Sequence, residues 1–271
     1  RSCLVGSEMC IRDRVHAVIG GDPVLAARLL QVSNSSMFPC RRKITDLGEA
    51  LAMLGVNMAL SIAMGVVVVD SLRQNDDVNP LFDYQRFWRK SILGAIAANE
   101  MYSVLKVASR GELFVASLMQ DVGILVLLNI AGDKYAKIVR SARSHFDLFE
   151  LEQRVFGVDH AEVGEALLGA WGLPEALQAA VGSSHALFNE SAGKSLNDLE
   201  YGVAFSGVLS ELWIAESCDA EREQVSISAY LDRIGEDAYK NTAESIVQAI
   251  PGASEVFNMQ LLSDEQLANV A

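Results

Sequence analysis

The run from Glu112 to Asn129 constrains the fold most: it is apolar almost throughout, yet Gln120 and Asp121 stand at its centre. A segment of this composition has to be buried, and it takes a carboxylate in with it. Burying an unpaired ionised group costs far more than one apolar contact returns. Asp121 is therefore paired with a cation, hydrogen-bonded, protonated, placed on a solvated edge, or bound to a metal. The question of function turns on which of these holds.

The rest of the chain supplies ample core. Of 271 residues, 51% are hydrophobic but only 7% aromatic, with five prolines, so the apolar content is mainly Ala, Leu, Val, Ile and Met. That mixture favours helices packed on helices, and the expected class is all-α. No convincing run of period-two alternation occurs; Val66 to Val69 is β-branched but lies in a helical context. The formal charge of −13 argues against a nucleic-acid surface, which needs a basic face to replace counterions on phosphates. The one basic run, Arg41, Arg42 and Lys43, reads as a solvated turn. Ala50 to Val69 is long and uncharged enough to resemble a membrane span, but Gly55 and Asn57 break it. It reads as two buried helices joined at Gly55, and no membrane partner is expected.

The leading residues stand apart, because Leu4 to Arg14 resembles the translation of a sequencing-library adapter. Residues 1–14 are read as non-native, with the natural frame entering near Val15. Setting them aside removes Cys3 and Cys10, and it leaves Cys40 and Cys218, too few and too distant for a disulfide framework or a zinc cluster. A reducing, cytoplasmic setting follows.

Capping residues place the helices. Asp22 and Pro23 open one with Leu25, Leu29 and Val32 on its buried face, and Asp46 with Glu49 has capping-box spacing ahead of a helix that stops at Gly55. Further helices are expected over about Tyr84–Val107, Asp133–Ser144 and Leu148–Phe156. Asp159 with Glu162 restarts the chain, with Val163, Leu167 and Trp171 on its apolar side, and Gly172 stops it. A long helix runs to about Glu216, and the last two are placed at Ser228–Ile234 and Asp237–Ile250. His160 and His185 then fall at the ends of consecutive elements.

No glycine-rich phosphate loop, Gly-x-Ser-x-Gly elbow or Cys-x-x-Cys pair is present, so chemistry would rest on scattered His and Asp residues. Five further stretches, each on or beside these elements, carry a specific resemblance: Asp22 to Ser35, Ile44 to Gly55, Phe87 to Ser91, Leu118 to Gly123 and Phe156 to Gly164, the last continued by Leu167 to Pro174. In this order they resemble the signatures of the HDOD family over about residues 15–200. The resemblance implies an HD-like helical bundle related to the HD phosphohydrolases, whose metal site takes a His, an adjacent His-Asp pair and a later Asp.

Aligned on those stretches, Lys90 stands where the first His would fall and Gln120 where the His of the pair would fall, so only Asp121 is kept. Tyr201 to Ser210 holds no carboxylate where the last Asp is expected. A protonated Lys has no lone pair for a metal, and a Gln amide nitrogen is not a ligand. The site is therefore expected to be degenerate, with no catalytic residues, no metal and no cofactor. Lys90 and Asp121 are expected to form an ion pair or a hydrogen-bonded cluster with Gln120. His160 and His185, where related phosphodiesterases place extra ligands, are read as structural residues or as a vestigial ligand site.

The resemblance implies a bacterial signalling role. The chain is expected to be a non-enzymatic module that acts on a signalling protein or on a linked output domain such as a diguanylate cyclase. The alternatives are a nucleotide sensor using the old cleft and a metal-dependent HD phosphohydrolase. The expected division is the segment 1–14, an HDOD helical domain over 15–205, and a C-terminal helical extension over 206–271 that leads toward a further domain.

Overall fold

The computed structural model describes residues 13–36, 38, 42–73, 79–188, 195–214, 234–263 and 266–267. Among them every regular element is helical, as expected. The expectations at Cys40, Arg41 and Cys218, and that of a helix over Ser228–Ile234 except at Ile234 itself, lie outside the described residues.

The first described helix, α1, covers residues 13–20 and buries Val15 and Ile19. Next come α2 (Pro23–Ser33), α3 (Leu47–Leu54) and α4 (Val56–Arg73). The Asp22 side chain accepts from the Leu25 amide, and that of Asp46 from the Glu49 amide. These bonds satisfy first-turn donors that otherwise lack partners. Gly55 takes a positive φ of 76°, and α3 and α4 meet there at 108°, so the uncharged stretch is a sharp corner and not a straight span.

The centre of the molecule is α5 (Tyr84–Leu105), α6 (Arg110–Met119) and α7 (Val122–Ala131). α5 packs against α6 and against α12 (Asp198–Ile214), and it is buried on nearly all sides over Phe87–Asn99. α6 and α7 form the apolar run seen in sequence, 78% buried over its most apolar window and interrupted at Gln120 and Asp121. α8 (Asp133–Ser141), α9 (His145–Phe156), α10 (His160–Ala170) and α11 (Glu175–Gly182) follow as a chain of short helices, with α10 packed on α7 and α11. The last long helix is α13 (Glu236–Phe257), which lies against α5 and α2.

Three sequence boundaries move, the first being the end of α8, which lies at Ser141 and not Ser144. α9 starts at His145, not Leu148, because the Ser144 side chain accepts from the Asp147 amide and caps it. α13 does not stop before Pro251 but continues to Phe257. Proline normally ends a helix by removing a donor and crowding the preceding turn. Here tertiary contact carries the helix through: the Gly252 amide donates to Ser36 Oγ, and a side chain at Gly252 would meet Ser36 N at 2.6 Å. The segment after α13 also folds back, burying Leu261 and Leu262, with Arg89 Nε donating to the Leu261 carbonyl at 2.8 Å.

Candidate functional site

Asp121 occupies the break between α6 and α7. It stands at the N-cap position of α7 but makes no side-chain cap bond there, so its carboxylate is free to point elsewhere. It points at α5, where Lys90 Nζ donates to Asp121 Oδ2 at 2.6 Å with both side chains buried. The ion pair expected between α5 and the central run is therefore present. Gln120 does not join it. Its amide is wedged between α5 and α12, where added side chains at Gly94 and Gly207 would collide with it, and its Nε2 has no hydrogen-bond partner among the described residues.

The other half of the site comes from α9, α10 and the end of α11. Ser144 and Asp159 cap α9 and α10, and each cap is followed immediately by a histidine, His145 and His160. Asp159 and Glu162 complete a reciprocal capping box that holds the first turn of α10 in place. What brings that turn onto Asp121 is Gly123, two residues further along. A Cβ on Gly123 would lie 2.0 Å from the His160 carbonyl oxygen and 2.8 Å from Gly164 N, so only glycine lets the two backbones approach so closely.

The result is a buried cluster of three imidazoles against one carboxylate. His145 Nε2 stands 3.1 Å from His160 Nε2, 3.0 Å from His185 Nε2 and 3.0 Å from Lys90 Nζ. Asp121 Oδ1 is 3.3 Å from His145 Nε2 and 3.6 Å from His160 Nε2, yet it accepts no aligned hydrogen bond. Behind His160 lies Glu152, which is fully buried. Its Oε2 accepts from the His160 amide at 2.9 Å and pairs with His160 Nδ1 at 2.6 Å, while its Oε1 accepts from the Tyr135 hydroxyl.

Protonation follows from these neighbours. Burial alone would raise the Asp121 pKa, but Lys90 and then His145 outweigh it and hold the carboxyl well below its ordinary value. Burial opposes the charge on His160, but Glu152 and Asp121 overcome it and push its pKa up to about 9. At His185 burial, then His160 and His145, outweigh the Asp121 charge and press its pKa well below its usual value. Burial and Lys90 lower His145 as well.

Comparison with known proteins agrees with this arrangement of helices. The HDOD domain family matches residues 4–187. This chain belongs to the HDOD family. The match begins within residues 1–14, ahead of the frame entry expected near Val15. Among solved structures, an HDOD domain protein of unknown function from Geobacter sulfurreducens superposes with a TM-score of 0.72 at 21% identity, covering 90% of this chain and 86% of that one. A candidate phosphohydrolase from Shewanella amazonensis SB2B gives 0.66 at 21% identity, covering 89% and 84%. A candidate signal transduction protein from Marinobacter aquaeolei VT8 gives 0.65 at 19%, covering 90% and 54%. An uncharacterized protein of Treponema pallidum (strain Nichols) is 25% identical over 167 residues, which are 59% of this chain but only 31% of that protein. The chain thus spans about a third of the length of that curated relative.

The residues singled out from the sequence fall as follows. Lys90 places an amine, not an imidazole, against Asp121, and Gln120 turns away from it. On α12, Ser206 and Ser210 are buried, and both donate back to their own helix. His160 and His185, named from the sequence, do converge on Asp121. His145 was missed by the sequence reading, although it is the member that touches all the others. The signal that could have found it is a repeat: Ser144-His145-x-Asp147 and Asp159-His160-x-Glu162 both put a histidine directly after a helix cap.

Proposed function

We propose that this HDOD chain is a non-enzymatic regulatory module of bacterial signal transduction. It acts by contact with a signalling protein or with a covalently linked output domain such as a diguanylate cyclase. The observation that carries this reading is the buried Lys90–Asp121 pair at 2.6 Å. A hydrolytic HD centre needs that carboxylate turned toward ions that generate a hydroxide and polarise a phosphate. Here one of its oxygens is committed to an amine, and the imidazole neighbours of the HD pattern are replaced.

Two further features support action by contact. The α7–α10 face carries an apolar cleft of about 540 Å³ lined by Leu125, Ile130, Leu167 and Trp171. Ile130 is 76% exposed and Trp171 48%, so large apolar groups face outward together, as they do where a partner covers them. The acidic charge and sparse cysteines suit a cytoplasmic setting.

The test is turnover. Purified protein supplied with manganese, iron or magnesium is assayed on cyclic dinucleotides and on a chromogenic phosphodiester. The expected rate equals that of the Asp121→Ala variant; metal-dependent hydrolysis that disappears in that variant would refute the reading.

A second reading, a nucleotide sensor, has one observation in its favour. A cleft of about 530 Å³ opens onto the site; Arg86 and Lys90 there are paired with Glu211 and Asp121, but Arg140 and Arg143 at its edge offer cations to a phosphate on an otherwise acidic chain. Thermal stabilisation by a cyclic dinucleotide that is lost in Arg140→Glu would establish it, because selective binding to the native state raises stability.

A further inference from the structure

The three histidines pose a problem that protons do not solve. The Nε2 atom of an imidazole offers a single in-plane site, either a lone pair or an N–H. At His145 that one site faces three nitrogens, from Lys90, His160 and His185, at 3.0–3.1 Å. As a lone pair it accepts one aligned hydrogen bond, not three. As an N–H it donates to one neighbour and confronts the Lys90 amine head-on. Asp121 Oδ1 meanwhile lies buried beside these nitrogens without a hydrogen bond. Clustered donors that protons leave unsatisfied are what a cation resolves.

We propose that Nε2 of His145, His160 and His185, with Oδ1 of Asp121, form a binding site for one divalent first-row transition ion of the zinc class. The four potential ligand atoms all lie within 4.8 Å of one another. A tetrahedral ion with bonds of about 2.0–2.1 Å needs neighbouring donors roughly 3.3–3.4 Å apart. The separations from His145 Nε2 are 3.1 and 3.0 Å to the other rings and 3.3 Å to Asp121, with 3.6 Å from Asp121 to His160. A ligand shell of three imidazoles and one carboxylate selects zinc, cobalt or iron over magnesium or calcium, which prefer oxygen.

The surroundings are those of a metal centre. Glu152 accepts from Nδ1 of His160, which directs that ring's Nε2 at the cluster, where the ion would take the place of the Nε2 proton, and Tyr135 holds the other Glu152 oxygen. Lys90 stays on Asp121 Oδ2, the oxygen that the ion does not need. A cleft that carries the carboxylates of Asp83 and Glu211 as well as basic side chains reaches Asp121 and His145 from the surface and gives the ion a way in. With four protein ligands no position is left for an attacking water, so the ion holds α7, α9, α10 and the end of α11 together rather than performing hydrolysis.

Of the four-residue HD pattern this site keeps only Asp121, and it adds His145 to the two histidines at extra-ligand positions; it does not depend on the non-enzymatic reading. The test uses the full chain, stripped with a chelator, checked by circular dichroism to remain folded, and titrated with cobalt(II). Visible bands of tetrahedral intensity should saturate at one equivalent, zinc should displace them, and zinc should raise the melting temperature. His145→Gln and His185→Ala should abolish the bands, while Glu152→Gln should weaken binding by roughly 10–100-fold. Lys90→Met, which removes a neighbouring positive charge and no ligand, should bind at least as tightly. A folded apoprotein that takes up no cobalt overturns the site, as do bands that persist in both histidine variants. Uptake accompanied by phosphodiester turnover would overturn the closed four-ligand arrangement together with the non-enzymatic reading.

Discussion

Asp121 and Glu152 are both buried carboxylates, 1% and 0% exposed, yet their surroundings differ in kind. Glu152 is saturated: the Tyr135 hydroxyl, the His160 amide and the His160 ring occupy both of its oxygens. Asp121 is half used, with Lys90 on one oxygen and the other left among imidazoles without an aligned donor. A saturated buried acid is a fixture that orients its neighbours. One with an idle oxygen facing ring nitrogens is held in reserve for something that protons do not provide. The contrast also explains why burial fails to raise either pKa: a positive neighbour outweighs desolvation at each, Lys90 at Asp121 and His160 at Glu152.

The largest effect should come from breaking the less saturated side. Asp121→Ala leaves the Lys90 charge buried without its partner and should cost about 3–5 kcal/mol, read as a fall in the denaturation midpoint at unchanged m. The double replacement Lys90→Met with Asp121→Leu removes both charges and should recover most of that loss. If the single variant melts like the parent, the pair does not hold α5 to α7, and the asymmetry between the two acids loses its energetic meaning.

Glu152→Gln comes next. It removes the charge from three bonds while keeping the shape, and the expected loss is about 2 kcal/mol, the scale of a hydrogen bond to a charged group. The comparison is sharpened if Tyr135 shifts in its ultraviolet spectrum, because its hydroxyl donates to that carboxylate. An unchanged stability would mean that Glu152 is not the fixture its contacts describe. Gly123→Ala then tests what joins the two halves. A methyl group there meets the His160 backbone, so α7 and α10 must separate, at a cost of about 1–3 kcal/mol. Full retention of stability would show that the close approach is not needed.

The fold was legible from the sequence because caps and apolar runs carry it. Asp22, Asp46 and Asp159 sit where side-chain caps were expected, and Gly55 turns the chain where a stop was read. Pro251 was misleading, since local propensity gives no sign of the Ser36 contact that carries α13 past it. At the site, the Lys90–Asp121 pair followed from the residues that resemble the family pattern, and His160 and His185 were noticed for the same reason. His145 was lost because the start of α9 was placed at Leu148, which left Ser144 unrecognised as a cap and the histidine in an apparent loop. Glu152 and Tyr135 were invisible for a different reason: their roles exist only once α8, α9 and α10 pack together.

Gln120 gives the smallest effect and the cleanest separation between neighbours in sequence. It was expected to share the Lys90–Asp121 cluster, but its amide lies between Gly94 and Gly207 and makes no bond to either residue of the pair. A buried amide nitrogen without a partner contributes little, and it costs something to keep out of water. Gln120→Met keeps the length of the side chain and removes that polar group, so stability should change by less than about 1 kcal/mol, toward greater stability if at all. Lys90 and Asp121 should be undisturbed, and cobalt uptake should match that of the parent protein. A large loss of either would mean that Gln120 supports the site after all, and that the two adjacent polar residues in the apolar run act as one unit.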